Sequence, residues 1–556
     1  LAQTEENMHN ERRTPSPVRI GVLVLACGPV LAACHQTDGF TEDQWAAIQA
    51  MEPLKGPVPA SKYNARGDDL DLAKFGQMIY FDKDVAEAIT VAGPSGNVGD
   101  VRKVSCFTCH GTEYGTDSRP FPVSHGRSWI NTNTGPLTNL AWYDWTTSSG
   151  RFDSMVEHGT TVWGTSATPL AQARFLYLKY KDEYNAVFPD TPLDPRLGID
   201  PSDPSNVYPA TGGPKSSPTA ADGAYEKMPQ DAQDNIAQIR ANLGRAFDAY
   251  PRQLMTPDSP FQKYVRDRDF SQLTDKAKRG LALFIGKAAC NECHNGPNLA
   301  DNKFHNVGAP ALMVQPYTNA TVPPNRGRAG SMQAILNNLA ALEADPNAVI
   351  FNGAGKFSDN RDLGMQRLLE VRKEDQDHCV TRDPNTMACT LYDESLEGAF
   401  RTLSLLNCAQ SGPYFHSGTV NTLEDVVRQY NAGGAPAGMY VGVVDPKIRP
   451  LLLTESEISD LVEFLGTLTG PSPSAQAAAD PTAWNWNKNT AKPPLPTGGT
   501  SGAMGGTSGG SAGKSGSAGS TGGGMAGSSG AMGGMTGGGM AGAGGAGGGG
   551  LGGAAG

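Results

Sequence analysis

Apolar residues recur at helical spacing along much of the chain, while the strict alternation that a half-buried strand requires is scarce. Leu70, Leu72, Phe75, Met78 and Ile79 predict a helix over 70–81. Two more are predicted from Ala232 to Tyr250 and from Thr274 to Gly286. Ile458, Leu461, Val462 and Leu465 form an amphipathic stripe on a fourth, over 456–468, started by Thr454 or Ser456. Between Thr191 and Thr219 the chain is dense in Pro, Asp, Ser and Gly, which reads as a surface excursion and a boundary. The pattern predicts a mostly α fold with long loops, wrapped around something other than a core of apolar side chains.

Both ends break this pattern. Arg12, Arg13 and Arg19 precede an apolar run from Ile20 to Ala33, which is too short for a stable membrane span. Residues 1–33 therefore read as a secretory signal. Leu31-Ala32-Ala33-Cys34 is similar to a bacterial lipoprotein box, in which Cys34 carries lipid; the alternative is an ordinary signal with an incidental cysteine. Residues 34–60 read as a linker. Residues 476–556 read as a low-complexity tail, because from Gly498 onward the chain holds one charge, Lys514, and no aromatic residue to bury.

Between the signal and Gly498, linker included, about 460 residues remain. The chain carries 45 basic and 56 acidic side chains, a balance that argues against a nucleic-acid partner. Its nine cysteines are too few for a disulfide scaffold in 556 residues, so their spacing matters more than their number.

Cys106-Phe107-Thr108-Cys109-His110 and Cys290-Asn291-Glu292-Cys293-His294 are both C-x-x-C-H, the attachment motif of a c-type haem. Two thiols form thioethers to the porphyrin and the adjacent imidazole reaches the iron. A redox thiol pair and half of a zinc site are the competing readings of C-x-x-C. Export favours haem, since c-type attachment in bacteria occurs outside the cytoplasm. Cys379 and Cys389, in a polar insertion, are spaced to close a short loop and suit a disulfide in that compartment. Cys408 is left as a small buried residue.

Around the second motif stand Lys278-Arg279-Gly280-Leu281-Ala282-Leu283-Phe284 and Phe304-His305-Asn306-Val307-Gly308. Further on come Phe400-Arg401-Thr402-Leu403-Ser404-Leu405-Leu406-Asn407, Pro413-Tyr414-Phe415-His416-Ser417-Gly418 and Thr422-Leu423-Glu424. Together these resemble the bacterial di-haem cytochrome c peroxidase family, MauG-like enzymes included, over roughly 70–470. The resemblance implies two α-helical cytochrome c-like domains, 61–228 with a peroxidatic haem and 229–475 with an electron-transfer haem, and a calcium ion between them.

Carried over residue by residue, the resemblance makes His125 a displaceable sixth ligand of the first iron, and hence a gate. It assigns Asn133 to calcium, with the backbone carbonyls of Ser411 and Pro413, and matches Asn139 to the same segment. Trp145 becomes the relay between haems. The family's distal glutamine falls on His158 and its catalytic glutamate on Thr168, so the carboxylate is missing from that place. His158 could move the proton instead, with Glu157 as a second candidate; equally, the pocket could have lost peroxidase chemistry. The sixth ligand of the second iron falls on Tyr430, as in MauG-like enzymes, with Met439 as the fallback. His305 and His416 take supporting roles.

The expected function is reduction of hydrogen peroxide by a periplasmic, lipid-anchored di-haem oxidoreductase fed by a small cytochrome c or cupredoxin. A MauG-like oxidase acting on a protein or small molecule, favoured by Tyr430, and a non-enzymatic electron carrier are the alternatives.

Overall fold

The computed structural model describes residues 37–111, 114, 116–117, 121–163, 166–215, 220–314 and 321–473. The signal segment with Cys34, and the tail from 476, lie outside the described residues. Contacts divide the chain into a short unit ending at Trp45 and a large one beginning at Ala46.

In the short unit, a reciprocal pair of hydrogen bonds between Thr41 and Gln44 (2.9 and 3.2 Å) starts helix α1, Glu42–Ala50. This helix lies within the stretch read as a linker. Thr41 and Gln44 are the signal for it, and the reading passed over them.

The large unit is mostly helical: α2 (Leu70–Phe81), α3 (Cys106–Cys109), α4 (Met155–Trp163), α5 (Pro169–Val187), α6 (Gln230–Ala249), α7 (Pro260–Arg266), α8 (Asp275–Ile285), α9 (Arg328–Ala344), α10 (Arg361–His378), α11 (Leu423–Ala432) and α12 (Glu455–Gly466). Among the described residues the strands form two antiparallel pairs. β1 (Phe304–His305) pairs with β4 (Phe400–Arg401), and β2 (Cys379–Arg382) with β3 (Cys389–Tyr392). The disulfide Cys379–Cys389 closes the second pair, with Cα atoms 5.8 Å apart. None of the described helices is long and apolar enough to cross a membrane.

Two crossings position the cysteine motifs. Helix α6 lies on α2 and α4, and α8 lies on α12. Each uses a glycine at the point of closest approach: a Cβ on Gly76 of α2 would stand 2.2 Å from the Ala246 carbonyl oxygen, and one on Gly280 of α8 would stand 2.0 Å from that of Asp460. Around the first crossing, Leu72, Phe75, Ile79, Tyr184, Leu243 and Phe247 form one apolar cluster. At the second, Phe464 meets Phe261 and Phe284 edge-on, with ring centroids 5.2 Å apart in both pairs. A third cluster joins α9 and α10 through Met332, Ile335, Leu339 and Leu368, and takes in Trp145.

Candidate functional site: two thiol and imidazole groups on one cavity

Both motifs fold into a single tight turn. The His110 N–H donates to the Cys106 carbonyl and the His294 N–H to the Cys290 carbonyl, each at 2.9 Å. In the first, the Thr108 hydroxyl accepts from Ser105 N at 2.9 Å and fixes the start of α3. The four thiols are not joined in disulfides. Burial, aided by the neighbouring thiol, pushes Cys106 up to about 12, and burial does the same to Cys290. Thiols held protonated do not suit a thiolate metal site or a reactive redox pair.

His110, Cys290, Cys293 and His294 line one cavity of about 1030 Å³. The His294 ring directs Nδ1 to the Leu299 carbonyl, 2.9 Å away, which leaves Nε2 for another partner. A large cavity beside the two thiol pairs, with an imidazole aimed by its other nitrogen, fits a covalently held haem at each motif.

On the side of the first motif, α4 and the segment before it bring His158, Arg151 and Phe152 to the cavity wall. His158 stacks on Phe152 with ring centroids 5.0 Å apart, and its Nδ1 is buried without a hydrogen-bond partner. Burial, reinforced by His110 and Arg151, drives its pKa down to about 3, so the ring is neutral. Glu157 is not on that wall. It accepts from Asp153 N at 3.3 Å and Asn338 Nδ2 at 3.2 Å, so the second expected acid or base faces away from the cavity. Burial, then the Asp153 charge, raises the Glu157 carboxyl well above the usual range.

Thr168 stands at the head of α5, where its N–H and hydroxyl donate to Glu87 Oε1 at 3.2 and 3.1 Å. Glu87 also pairs with Arg127 at 3.3 Å, and Arg127 lines the cavity. A carboxylate therefore occupies the neighbourhood of Thr168, supplied from another part of the chain.

His125 departs from the expectation. It is fully buried, with Nε2 on the Val91 carbonyl at 2.8 Å and Nδ1 accepting from Ser95 N at 3.3 Å, and it is not part of the cavity wall. Gly93 lies against its ring, 2.5 Å being the separation a Cβ there would have from Nε2. Backbone groups thus occupy both ring nitrogens, which leaves none for iron in this conformation.

On the side of the second motif, Tyr430 of α11 lines the cavity, and burial, then Cys290 and Cys293, raise its phenol above the ordinary range. Met439 is 48% exposed on the surface and away from the cavity, so the fallback ligand is set aside. His305 is gripped by Asp445 at Nδ1 (2.7 Å) and Asp301 at Nε2 (3.0 Å). The Asp301 hydrogen bond leads the effects that push it up to about 10. His416 is buried flat against Phe400 at 3.6 Å, and burial takes it down to about 3.

Asn133, Ser411 and Pro413 meet on the same wall. Asn133 Nδ2 donates to the Pro413 carbonyl and, at 3.4 Å, to that of Phe415. Asn139 is held elsewhere, by Thr256 at 2.7 and 3.1 Å.

Trp145 also lines the cavity, and Arg328 and Arg367 lie over its ring. These two arginines, Glu87 and Arg127 were not singled out from the sequence, because they reach the site across long stretches of chain; Arg151 was, as the position from which His158 and Thr168 are counted.

A mostly helical chain with His110 of one C-x-x-C-H turn and Cys290, Cys293 and His294 of the other on one cavity has the arrangement of a di-haem protein of the c type. Residues 71–269 match the family model described as di-haem cytochrome c peroxidase. Over that segment the chain is similar to di-haem cytochrome c peroxidases, and over most of its length to MauG proteins. It is 32% identical over 233 residues to the cytochrome-c peroxidase IdrP1 of Denitromonas iodatirespirans, a match covering 41% of this chain and 50% of the relative. The chain thus spans about half the length of that relative. It is 25% identical over 463 residues to the methylamine utilization protein MauG of Methylorubrum extorquens, covering 82% of this chain and 95% of that protein. A solved MauG-like protein associated with microbial copper homeostasis aligns over 78% of this chain and 97% of its own, at 19% identity and a TM-score of 0.45.

Proposed function

We propose that the protein reduces hydrogen peroxide with electrons from a small periplasmic redox protein, a cytochrome c or a cupredoxin. The observation that carries this reading is His158: a buried, neutral imidazole on the cavity wall with an unpartnered nitrogen, beside Arg151. A haem held by Cys106, Cys109 and His110 would supply the electron exchange with peroxide. His158 would accept the proton of the oxygen that binds and return it to the oxygen that leaves, through the nitrogen that has no other partner. The Arg151 guanidinium would hold negative charge developing beside it. Phe152 fixes the plane of the His158 ring.

His110 and His294 are proposed as the proximal iron ligands and Tyr430 as the second ligand at the second motif. Trp145 is proposed as the path between the two haem modules, which follow the two helix crossings. His125, with both nitrogens engaged, supports a first site open to peroxide rather than one closed by this ring. Calcium is proposed at Asn133, Ser411 and Pro413, where an amide turned by half a rotation would offer its oxygen beside carbonyls. Export and attachment through Cys34 complete the proposal.

Peroxide-dependent oxidation of a reduced cytochrome by the haem-loaded protein tests the reading, with the enzyme fully oxidised and half-reduced. Turnover in both states is the expected result. No turnover in either would overturn it and favour the second reading, a MauG-like oxidase, for which Tyr430 on the wall beside Cys290 and Cys293 is the specific support.

A further inference from the structure

Trp145 is met by two guanidinium groups. The Arg328 carbon Cζ lies 4.6 Å from the indole centroid, and that of Arg367 lies 4.8 Å away. Arg328 is the first residue of α9 and is 1% exposed. It is held by Glu374 through Nε (3.1 Å) and Nη2 (2.8 Å), by the Gly150 carbonyl through Nη1 (2.8 Å), and by the Phe304 ring at 4.5 Å. Arg367, on α10, reaches the Asp144 carbonyl through Nη2 at 3.4 Å, and its Nε is buried without a partner. Both arginines come from the helices that follow the second cysteine motif, whereas Trp145 follows the first.

A cation over a closed-shell indole is attracted by the negative face of the ring. Remove one electron, and the same geometry places a positive ring against two positive charges. Guanidinium cannot shed its proton to relieve the repulsion. Glu374 offsets part of the Arg328 charge, while among the described residues Arg367 has no carboxylate hydrogen-bonded to it and meets the charge of Asp153 only through space. In a buried setting these charges are poorly screened.

We propose that Arg328 and Arg367 hold Trp145 in its closed-shell form, so that the indole conducts electrons between the two halves of the site without itself storing an oxidising equivalent. The inference rests on Trp145 being the path between the haem modules, as read above. It sharpens the choice between the two functions, since an enzyme that stores oxidising power for use at a distance gains from an indole that is readily oxidised. Arg328 and Arg367 are positioning residues: they touch neither substrate nor haem in this account and act through the ring.

The test uses a one-electron oxidant and no peroxide, so it can fail independently of the peroxidase reading. Oxidised, haem-loaded, full-length protein is exposed to photogenerated ruthenium(III) tris-bipyridine and frozen, and tryptophanyl radical is counted by electron paramagnetic resonance. In this step one electron passes from indole to ruthenium(III), giving ruthenium(II) and the indole radical cation, and no bond is made or broken. Trp145→Phe supplies the background from the other tryptophans. Above that background, Arg367→Gln is expected to give about ten times the radical of the parent, whereas Arg367→Lys, which keeps the charge, gives the parent's yield. Adding Glu374→Gln to Arg367→Gln strips the counter-ion from Arg328 and is expected to bring the yield back down. Arg328 itself is left intact, because its removal strands a carboxylate and endangers the fold. Equal radical in the parent and Arg367→Gln, or equal radical in the Gln and Lys variants, would overturn the proposal.

Discussion

Glu87 receives both the N–H and the hydroxyl of Thr168, at 3.2 and 3.1 Å, across 81 residues of chain. It does for the head of α5 what a capping-box glutamate does three residues into a helix, but from a distant loop. Removing this acceptor by Glu87→Ala takes away the partner of the Thr168 N–H and the carboxylate facing Arg127, while Thr168 Oγ1 keeps the Gly212 N–H and Arg127 Nε keeps the Ala88 carbonyl. A loss of about 1–2 kcal/mol is expected, read from denaturant unfolding of the haem-loaded protein. Glu87→Gln keeps an acceptor for Thr168 and should cost less than half as much. Equal losses in the two variants would show that the charge on Arg127, rather than the cap, is what Glu87 serves.

His158 is the titrating group on the wall beside Arg151, and the proposed chemistry depends on it. His158→Phe preserves the stack on Phe152 and removes proton transfer. Peroxide turnover should fall by about 100-fold or more with the haem spectra unchanged. His158→Ala should lose at least as much, and Glu157→Gln much less, because Glu157 faces Asn338 rather than the cavity. Steady-state turnover of the three variants decides this, and a Glu157→Gln as inactive as His158→Phe would move the proton path behind α4.

Much of the helical frame was legible in the chain. The stripes over 70–81, 232–250, 274–286 and 456–468 became α2, α6, α8 and α12 within two residues at each boundary, because each has a broad apolar face and a recognisable start. Helices α9 and α10 were not read: α10 is rich in charged residues, and its buried face is reduced to Gly364, Leu368, Val371 and Asp375. The haem motifs were legible because their chemistry is local to five residues. Glu87 beside Thr168, the backbone hold on His125 and the guanidiniums over Trp145 were not, because each joins segments whose proximity no spacing encodes.

Tyr430 lines the cavity beside Cys290 and Cys293, and a phenolate there stabilises oxidised iron where a thioether would favour reduced iron. Tyr430→Met should therefore raise the reduction potential of one haem and leave the other within error. Tyr430→Phe should change the optical spectrum of that same haem only. Potentiometric titration followed optically reads both, and a shift in both haems, or in neither, would remove Tyr430 from the iron.

His416 makes stability fall in acid. Its ring is buried against Phe400 and its pKa lies near 3, below that of an unfolded histidine at about 6.5. Below about pH 6.5 the unfolded chain takes up a proton that the folded ring refuses, so folding loses stability as pH falls. The slope is about 1.4 kcal/mol per pH unit, continuing down towards pH 3. Asp153 and Glu157 act in the opposite sense, since burial raises both carboxyls and protonation favours their folded form as pH falls. The histidine contribution is therefore isolated by comparison with His416→Phe, which keeps the flat contact with Phe400. The stability of the parent relative to this variant should be constant from pH 8 to 7 and decline steadily below 6.5, measured by denaturant unfolding at each pH. A flat difference across that range would mean that the ring takes up its proton in the folded protein.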